Sequence, residues 1–503
     1  MSMVIYIYEV FKTISRDVDL IYLYCFYIGS AFESYDQMLE FGYRLLDEGY
    51  AIALIDIKDR KIKPEKRYMD DVDVLMEVDN DLFFDEYLDA GRILRLKLRP
   101  FYIDDIRDLK IKPVDRVNVY MLLHISGVVV LTVWVRIRDT DLDFIDLRGL
   151  INISDSYMLA RLFNNIIKVN LVIMNENKLL NFLGQGNYSH VPNKEGNPSY
   201  LSFGEILTFY EDVIHYKFFE ERGVKIKKLD ELNQKIKYLY NLEYPILIIR
   251  STNGLKLNDF LENYAEYIYS LVIEETDPEL VKKFVPGLKD LVFENNFSYE
   301  EDKALFVGCG NALIIISDEF KEYIKEKYWV FENELLRYEQ EDIVHFEFLI
   351  LLDQLLEVAY GFISSLPRNI SPIQLADIRR ELVMYLEEYH SVRMYSYGES
   401  REFMEQSKEI LGLNYIYDIL YEKLDLLDSS INSSFQEIST RLQVILTIIF
   451  GAFAVAQTIA TLYPENILMV ATSALIVIII GILYLRRMKR WSKSHNFITM
   501  KSI

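Results

Sequence analysis

Leu442–Leu462 reads LQVILTIIFGAFAVAQTIATL and Ile467–Leu485 reads ILMVATSALIVIIIGILYL, with Tyr463-Pro464-Glu465-Asn466 between them. Across the 44 residues from Leu442 to Leu485 the one charge is Glu465. Each half has about the 20 residues that a helix needs to cross ~30 Å of hydrocarbon at 1.5 Å per residue. A soluble core rarely holds two adjacent runs of this length without a charge, so residues 441–485 are expected to form a two-helix transmembrane hairpin, with helices at 442–462 and 467–485. Behind it come Arg486, Arg487, Lys489, Arg490 and Lys493, with Trp491 among them, in a basic tail of residues 486–503. Lys and Arg beside a span stay on the cytoplasmic side. Two spans then place both the N- and the C-terminus in the cytoplasm, for a multi-pass protein of the cell membrane in contact with lipid. The opening MSMVIYIYEVFKTISRDVDL has no basic n-region and reaches Glu9 before an apolar run is complete, so no signal peptide is expected.

Upstream of the first apolar run the helical pattern does not stop. Ile416, Leu420, Leu424, Leu427, Ile431, Phe435, Ile438, Leu442 and Ile445 follow one another by threes and fours. That spacing is one helical stripe, and a helix from Leu413 to Leu462 would be ~75 Å long at 1.5 Å per residue. A helix of that length needs partners along its stripe, so residues 321–440 are expected to be a helical stalk region within a homo-oligomer. Further helices are expected at Tyr328–Ser365 and at about Gln374–Ile410, with Gly412 as a break.

Residues 1–320 read as α/β. Strands are expected at Ala51–Ile57, Lys168–Met174 and Pro245–Arg250. Asn118–His124 and Val128–Ile137 around Ser126-Gly127 form a hairpin, as do Ala304–Val307 and Ala312–Ser317 around residues 308–311. Phe203–Glu221 is helical in pattern. The two hairpins suggest two α/β lobes, 1–190 and 191–320, with a boundary near the polar stretch 181–198. The expected fold is thus an α/β cytoplasmic domain, a long helical stalk and a transmembrane hairpin.

Within the first apolar run, Gln443, Thr447, Gly451, Ala454, Thr458 and Thr461 are spaced 4, 4, 3, 4 and 3, which puts them on one helix face. Small and hydroxyl side chains there have two explanations. They permit close packing of neighbouring helices, or they line a wet pore around an oligomer axis.

These features together resemble the CorA family of divalent-cation transporters. In that family a large cytoplasmic domain and long helices lead into the membrane, followed by a short outer loop, a second span and a basic tail. The family's first span opens near a Leu-Thr pair and ends at Tyr-Gly-Met-Asn; here Leu446-Thr447 and Tyr463-Pro464-Glu465-Asn466 stand in those places. The resemblance covers roughly residues 300–493. It implies a homopentamer, a pore lined by Thr447, Gly451, Ala454, Thr458 and Thr461 and gated by the cytoplasmic domain, and a mouth formed by Tyr463, Glu465 and Asn466. The cargo it implies is magnesium or another divalent cation. Pro464-Glu465 departs from Gly-Met: Pro464 stiffens the turn, and Glu465 adds a carboxylate that attracts cations and alters selectivity.

Composition limits the alternatives. The 503 residues are 51% apolar and carry 77 acids against 55 bases, a net charge of −22, so the bulk surface repels nucleic acid. Cys25 and Cys309 alone supply no disulfide framework. The six His show no metal-binding spacing, and no nucleophile motif points to an enzyme. The acidic groups Asp70/Asp71/Asp73, Asp139/Asp141/Asp143 and Glu300/Glu301/Asp302 read as solvated faces. Asp425 and Asp428 stand apart because they lie on the stalk, where subunits would face each other, and are the candidate regulatory metal site. A second functional reading is a membrane-anchored sensor or effector whose cytoplasmic domain binds a small ligand or nucleotide signal; a third is a tether without conduction.

Overall fold

The computed structural model describes residues 13–56, 61–64, 92–106, 116–152, 167–170, 199–201, 203–221, 241–298, 300–328, 336–364, 374–376, 378–380, 382–383, 398–462 and the positions 471, 472, 475, 476 and 479. The strands among them are β1 (Val18–Tyr27), β2 (Ala51–Asp56), β3 (Lys61–Pro64), β4 (Ile93–Ile106), β5 (Arg116–His124), β6 (Val128–Ile137), β7 (Ile167–Asn170), β8 (Ser199–Leu201), β9 (Leu242–Ile249), β10 (Lys303–Val307) and β11 (Ala312–Ile316). They form one sheet in the order β10-β11-β9-β1-β6-β5-β4-β2-β3, with β7 joined to β4 and to β8. Every pairing is antiparallel except β9 with β11. The segments expected as separate lobes therefore contribute to one sheet: β9, from the second, pairs with β1 along Val18↔Ile249 to Cys25↔Leu242.

Both expected hairpins are present. β5 and β6 run in register Leu123↔Val129 around Ser126-Gly127. Gly127 turns with φ +86°, and a Cβ there would meet the Ser30 carbonyl oxygen at 2.3 Å, so only glycine fits. β10 and β11 join through a Gly308 N–H bonded to the Asn311 carbonyl at 2.7 Å.

Helices flank the sheet. They are α1 (Tyr35–Asp47), α2 (Phe144–Ile151), α3 (Phe203–Glu221), α4 (Leu257–Asn263), α5 (Ala265–Val272), α6 (Pro278–Phe284), α7 (Leu288–Glu294), α8 (Asp318–Tyr328), α9 (Leu336–Ser364), α10 (Gly398–Ile410) and α11 (Leu413–Leu462). α3 lies on the face that carries Tyr22, Tyr24 and Phe26: Phe203 packs edge-on against Tyr22, and His215 sits on Phe26 with Nε2 3.1 Å from the Tyr27 carbonyl. α9 covers the opposite face of β1, β6 and β9. With both faces covered, β1 and β6 are buried almost end to end and show no alternation.

Several charges are buried in this α/β unit. Arg95 of β4 and Glu347 of α9 are both fully buried and meet at 2.8 Å, and Thr132 donates to the other Glu347 oxygen. Breaking such a pair would strand one charge in the interior. On the α3 side, Tyr24 and Asn241 donate to Glu211, whose pKa is pushed up to about 7 by burial, opposed by those two donors. Asp19 is fully buried between Arg138 and Arg250, each 2.5 Å away. Its carboxyl is held below the ordinary range: burial works against ionisation, and the arginines outweigh it.

The chain separates into two compact units, Met1–Ser365 with Met384–Leu420, and Leu366–Val383 with Tyr421–Ile503. The expected order, an α/β region followed by a long apolar helix, is present. Of the expected segment Tyr328–Ser365, Leu336–Ser364 is described as α9, Tyr328 closes α8, and residues 329–335 lie outside the described residues; of Gln374–Ile410, α10 covers Gly398–Ile410 and residues 374–376, 378–380 and 382–383 are helical. Residues 181–198 and the tail 486–503 lie outside the described residues, as does the continuation of the expected strand Lys168–Met174 past Asn170.

Candidate functional site

Gly412 adopts φ +72°, a left-handed turn that ends α10 and releases the chain into α11. From Leu413 there is no Gly or Pro until Gly451, and the helix runs unbroken for 50 residues. It is long and apolar enough to cross a membrane. Almost none of its apolar part is buried: Leu442, Ile445, Leu446, Ile449, Phe450, Phe453 and Leu462 are all exposed. A core helix of a soluble protein would bury those side chains. Of the second expected span, only residues 471, 472, 475, 476 and 479 are described; each is helical and exposed.

The polar stripe occupies an open side of α11. Gln443, Thr447, Ala454, Thr458 and Thr461 are exposed, whereas Val444, Ile448, Ala452, Val455 and Ile459 are covered to different degrees. At 3.6 residues per turn the two sides are roughly 110° apart. Gly451 lies at their border and is half-buried.

The threonine hydroxyls are already committed as donors. Thr447 donates to the Gln443 carbonyl, Thr458 to that of Ala454 and Thr461 to that of Gln457, each at 2.8 Å. This back-bonding satisfies the one proton each hydroxyl has. The oxygen lone pairs remain, so the stripe presents hydrogen-bond acceptors without charge. Such a surface suits a hydrated cation, whose waters donate, and also suits a neighbouring helix packed closely against it.

Tyr463, Glu465 and Asn466 lie outside the described residues. On the stalk, Asp428 accepts from Nε of Arg379, while Asp425 is exposed three residues away. A guanidinium therefore already balances one carboxylate of the pair considered for a regulatory metal. Among the described residues no group of three or more His, Cys, Asp or Glu is placed to hold a metal ion. The other acidic groups have structural duties where described: Asp141 pairs with Arg16, Asp143 caps α2, and Glu300 lies 3.6 Å from Lys303.

Two participants escaped the sequence reading. Gln457 is an exposed primary amide in the middle of the apolar segment, flanking the threonine stripe. Its spacing of four from Thr461 would have revealed it. Arg379 carries no such signal, since it is 49 residues from Asp428 along the chain. No family model, curated protein or solved structure matches the chain.

Proposed function

We propose that the chain is the protomer of a homo-oligomeric membrane protein of CorA type, a pentamer that conducts magnesium or another divalent cation. α11 lines the axis, Ile467–Leu485 forms the second span, both termini are cytoplasmic, and Glu465 and Asn466 of the outer loop form the cation-attracting mouth. The observation that carries this reading is the open stripe of the small Ala454 and the acceptor hydroxyls Thr447, Thr458 and Thr461, borne on a single helix that continues the stalk without a break. The exposed apolar side chains around it support a lipid or helix environment for the remaining faces.

Divalent-cation flux into liposomes, combined with cysteine accessibility, tests the proposal. Ala454→Cys and Thr458→Cys are expected to react with small water-soluble reagents, and Val455→Cys to stay protected. Gly451→Leu is expected to cut flux severalfold while the oligomer persists, because the added side chains narrow the path once per subunit. If Gly451→Leu instead dissociates the oligomer and Ala454→Cys is no more reactive than Val455→Cys, the stripe is a packing surface. Absence of flux of any divalent cation would overturn conduction.

A further inference from the structure

Gln457 is a polar side chain of α11 with no role in lining the axis. Between Leu442 and Leu462 the side-chain N–H donors are those of Gln443 and Gln457. The Gln457 amide is exposed and makes no hydrogen bond among the described residues; Thr461 engages its backbone carbonyl, not its side chain. A carboxamide N–H is costly in hydrocarbon unless an acceptor meets it. At about 100° per residue the amide points roughly 170° away from the middle of the covered side, formed by Ile448, Ala452, Val455 and Ile459. What covers that side is out of its reach, so its acceptor comes from another molecule.

Thr458 is the complement. Its hydroxyl proton is committed to the Ala454 carbonyl, so its oxygen offers lone pairs alone. Gln457 and Thr458 are consecutive, hence within ~1.5 Å of each other in height and about 100° apart around the helix. Thr447, Ala454 and Thr461 fall in the arc between them. In a closed ring of parallel helices each helix meets its two neighbours with two different edges, about 90° apart for four copies and about 108° apart for five. Gln457 and Thr458 have that divergence. The stripe between them then turns to the axis, and the covered side turns away from it.

We propose that the Gln457 amide of one copy donates to the Thr458 hydroxyl of the neighbouring copy, in a seam between α11 helices that repeats around the ring. This rests on the homo-oligomer proposed above and adds the surface by which its copies meet. A second copy is favoured over lipid because it brings, at the amide's own height, an uncharged acceptor whose proton is already spent. It is favoured over an unrelated helix because donor and acceptor sit on one chain with the divergence that ring closure requires.

Cysteine cross-linking of the full chain in membranes tests it, in a Cys309→Ser background because Cys309 is exposed and Cys25 is buried. Chains with Gln457→Cys, co-expressed with chains with Thr458→Cys, are expected to give a covalent dimer of one with the other under mild oxidation. Neither variant expressed alone is expected to cross-link, because equivalent positions in a ring do not face each other. Gln457→Leu and Thr458→Val are each expected to lower the SDS concentration at which the oligomer dissociates. Their combination is expected to lower it no further than the larger single change, since both delete one hydrogen bond. Cross-linking of Gln457→Cys with itself, absence of the mixed dimer, or additive shifts would overturn the seam. Conduction is read separately in liposomes: flux without the mixed dimer removes the seam alone, and the mixed dimer without flux removes conduction alone.

Discussion

Glu211 joins α3 to the sheet through Tyr24 and to the start of β9 through Asn241, and its burial makes that junction pH-dependent. Its folded pKa of about 7 lies above the ordinary 4.5, so the folded chain holds the proton more tightly than the unfolded chain. The stability contribution is therefore full below the ordinary value and is lost as pH rises toward 7. Asp212, close by, adds to the same direction, while His215, pushed down to about 4 by burial, stays neutral and does not compensate. Glu211→Gln cannot ionise and keeps an acceptor for Tyr24. Its stability relative to the native chain is expected to rise by about 2–3 kcal/mol between pH 5 and pH 8. Chemical denaturation at the two pH values measures this, and the difference is the quantity to read because Asp353, also pushed up to about 7, gives both proteins a slope of their own. A difference that does not vary with pH would remove Glu211 from this role.

At the scale of the element, α11 changes character along its length. Leu420, Leu424 and Ile431 are buried, whereas Phe435, Ile438, Leu442 and Ile445, the next positions on the same stripe, are exposed. The first group is satisfied within the chain; in the proposed oligomer the second group meets other subunits. Leu424→Asp is expected to destabilise the protomer itself by about 3 kcal/mol, since the carboxylate would be desolvated without a partner. Ile438→Asp is expected to leave the protomer's helicity intact while native mass spectrometry shows the assembly reduced toward the 59.4 kDa chain. An unchanged oligomer mass in Ile438→Asp would mean that the stripe does not mediate assembly. The bounds of α11 and α3 were legible because helical periodicity persists over many turns, and both hairpins were legible from Ser126-Gly127 and from Gly308 through Asn311. β1 and β4 were not. β1 has no alternation to read because both faces are covered. β4 alternates leucine with Arg95 and Lys97 and contains Pro100, signs of an exposed or broken strand. In the fold those cations are buried, and Pro100 falls within the register shift between Leu98 and Phe101, where a missing N–H costs no ladder bond.

For the whole molecule, net charge and local charge tell different stories. The sequence total of −22 describes the surface, while Arg95, Lys97, Arg136, Arg138 and Arg250 collect on the sheet's α9 face, an arrangement that only strand register creates. Within the candidate pore the reverse holds, since the threonine stripe follows from helical spacing alone and was fully legible. α11 carries that stripe on the same helix as Leu424 and Ile431, the buried stalk positions. The rod therefore has a phase. Inserting one residue between Asp428 and Phe435 turns everything downstream by about 100°, swinging Thr447 and Thr458 away from the direction set by Leu424; inserting seven restores the angle to within about 20°. Flux is expected to vanish with the single insertion and to return with the heptad, although the heptad lengthens the rod by about 10 Å. On the proposed pore reading, what Leu424 and the threonine stripe share is an angle about one helix axis, and the length of helix between them is free to change.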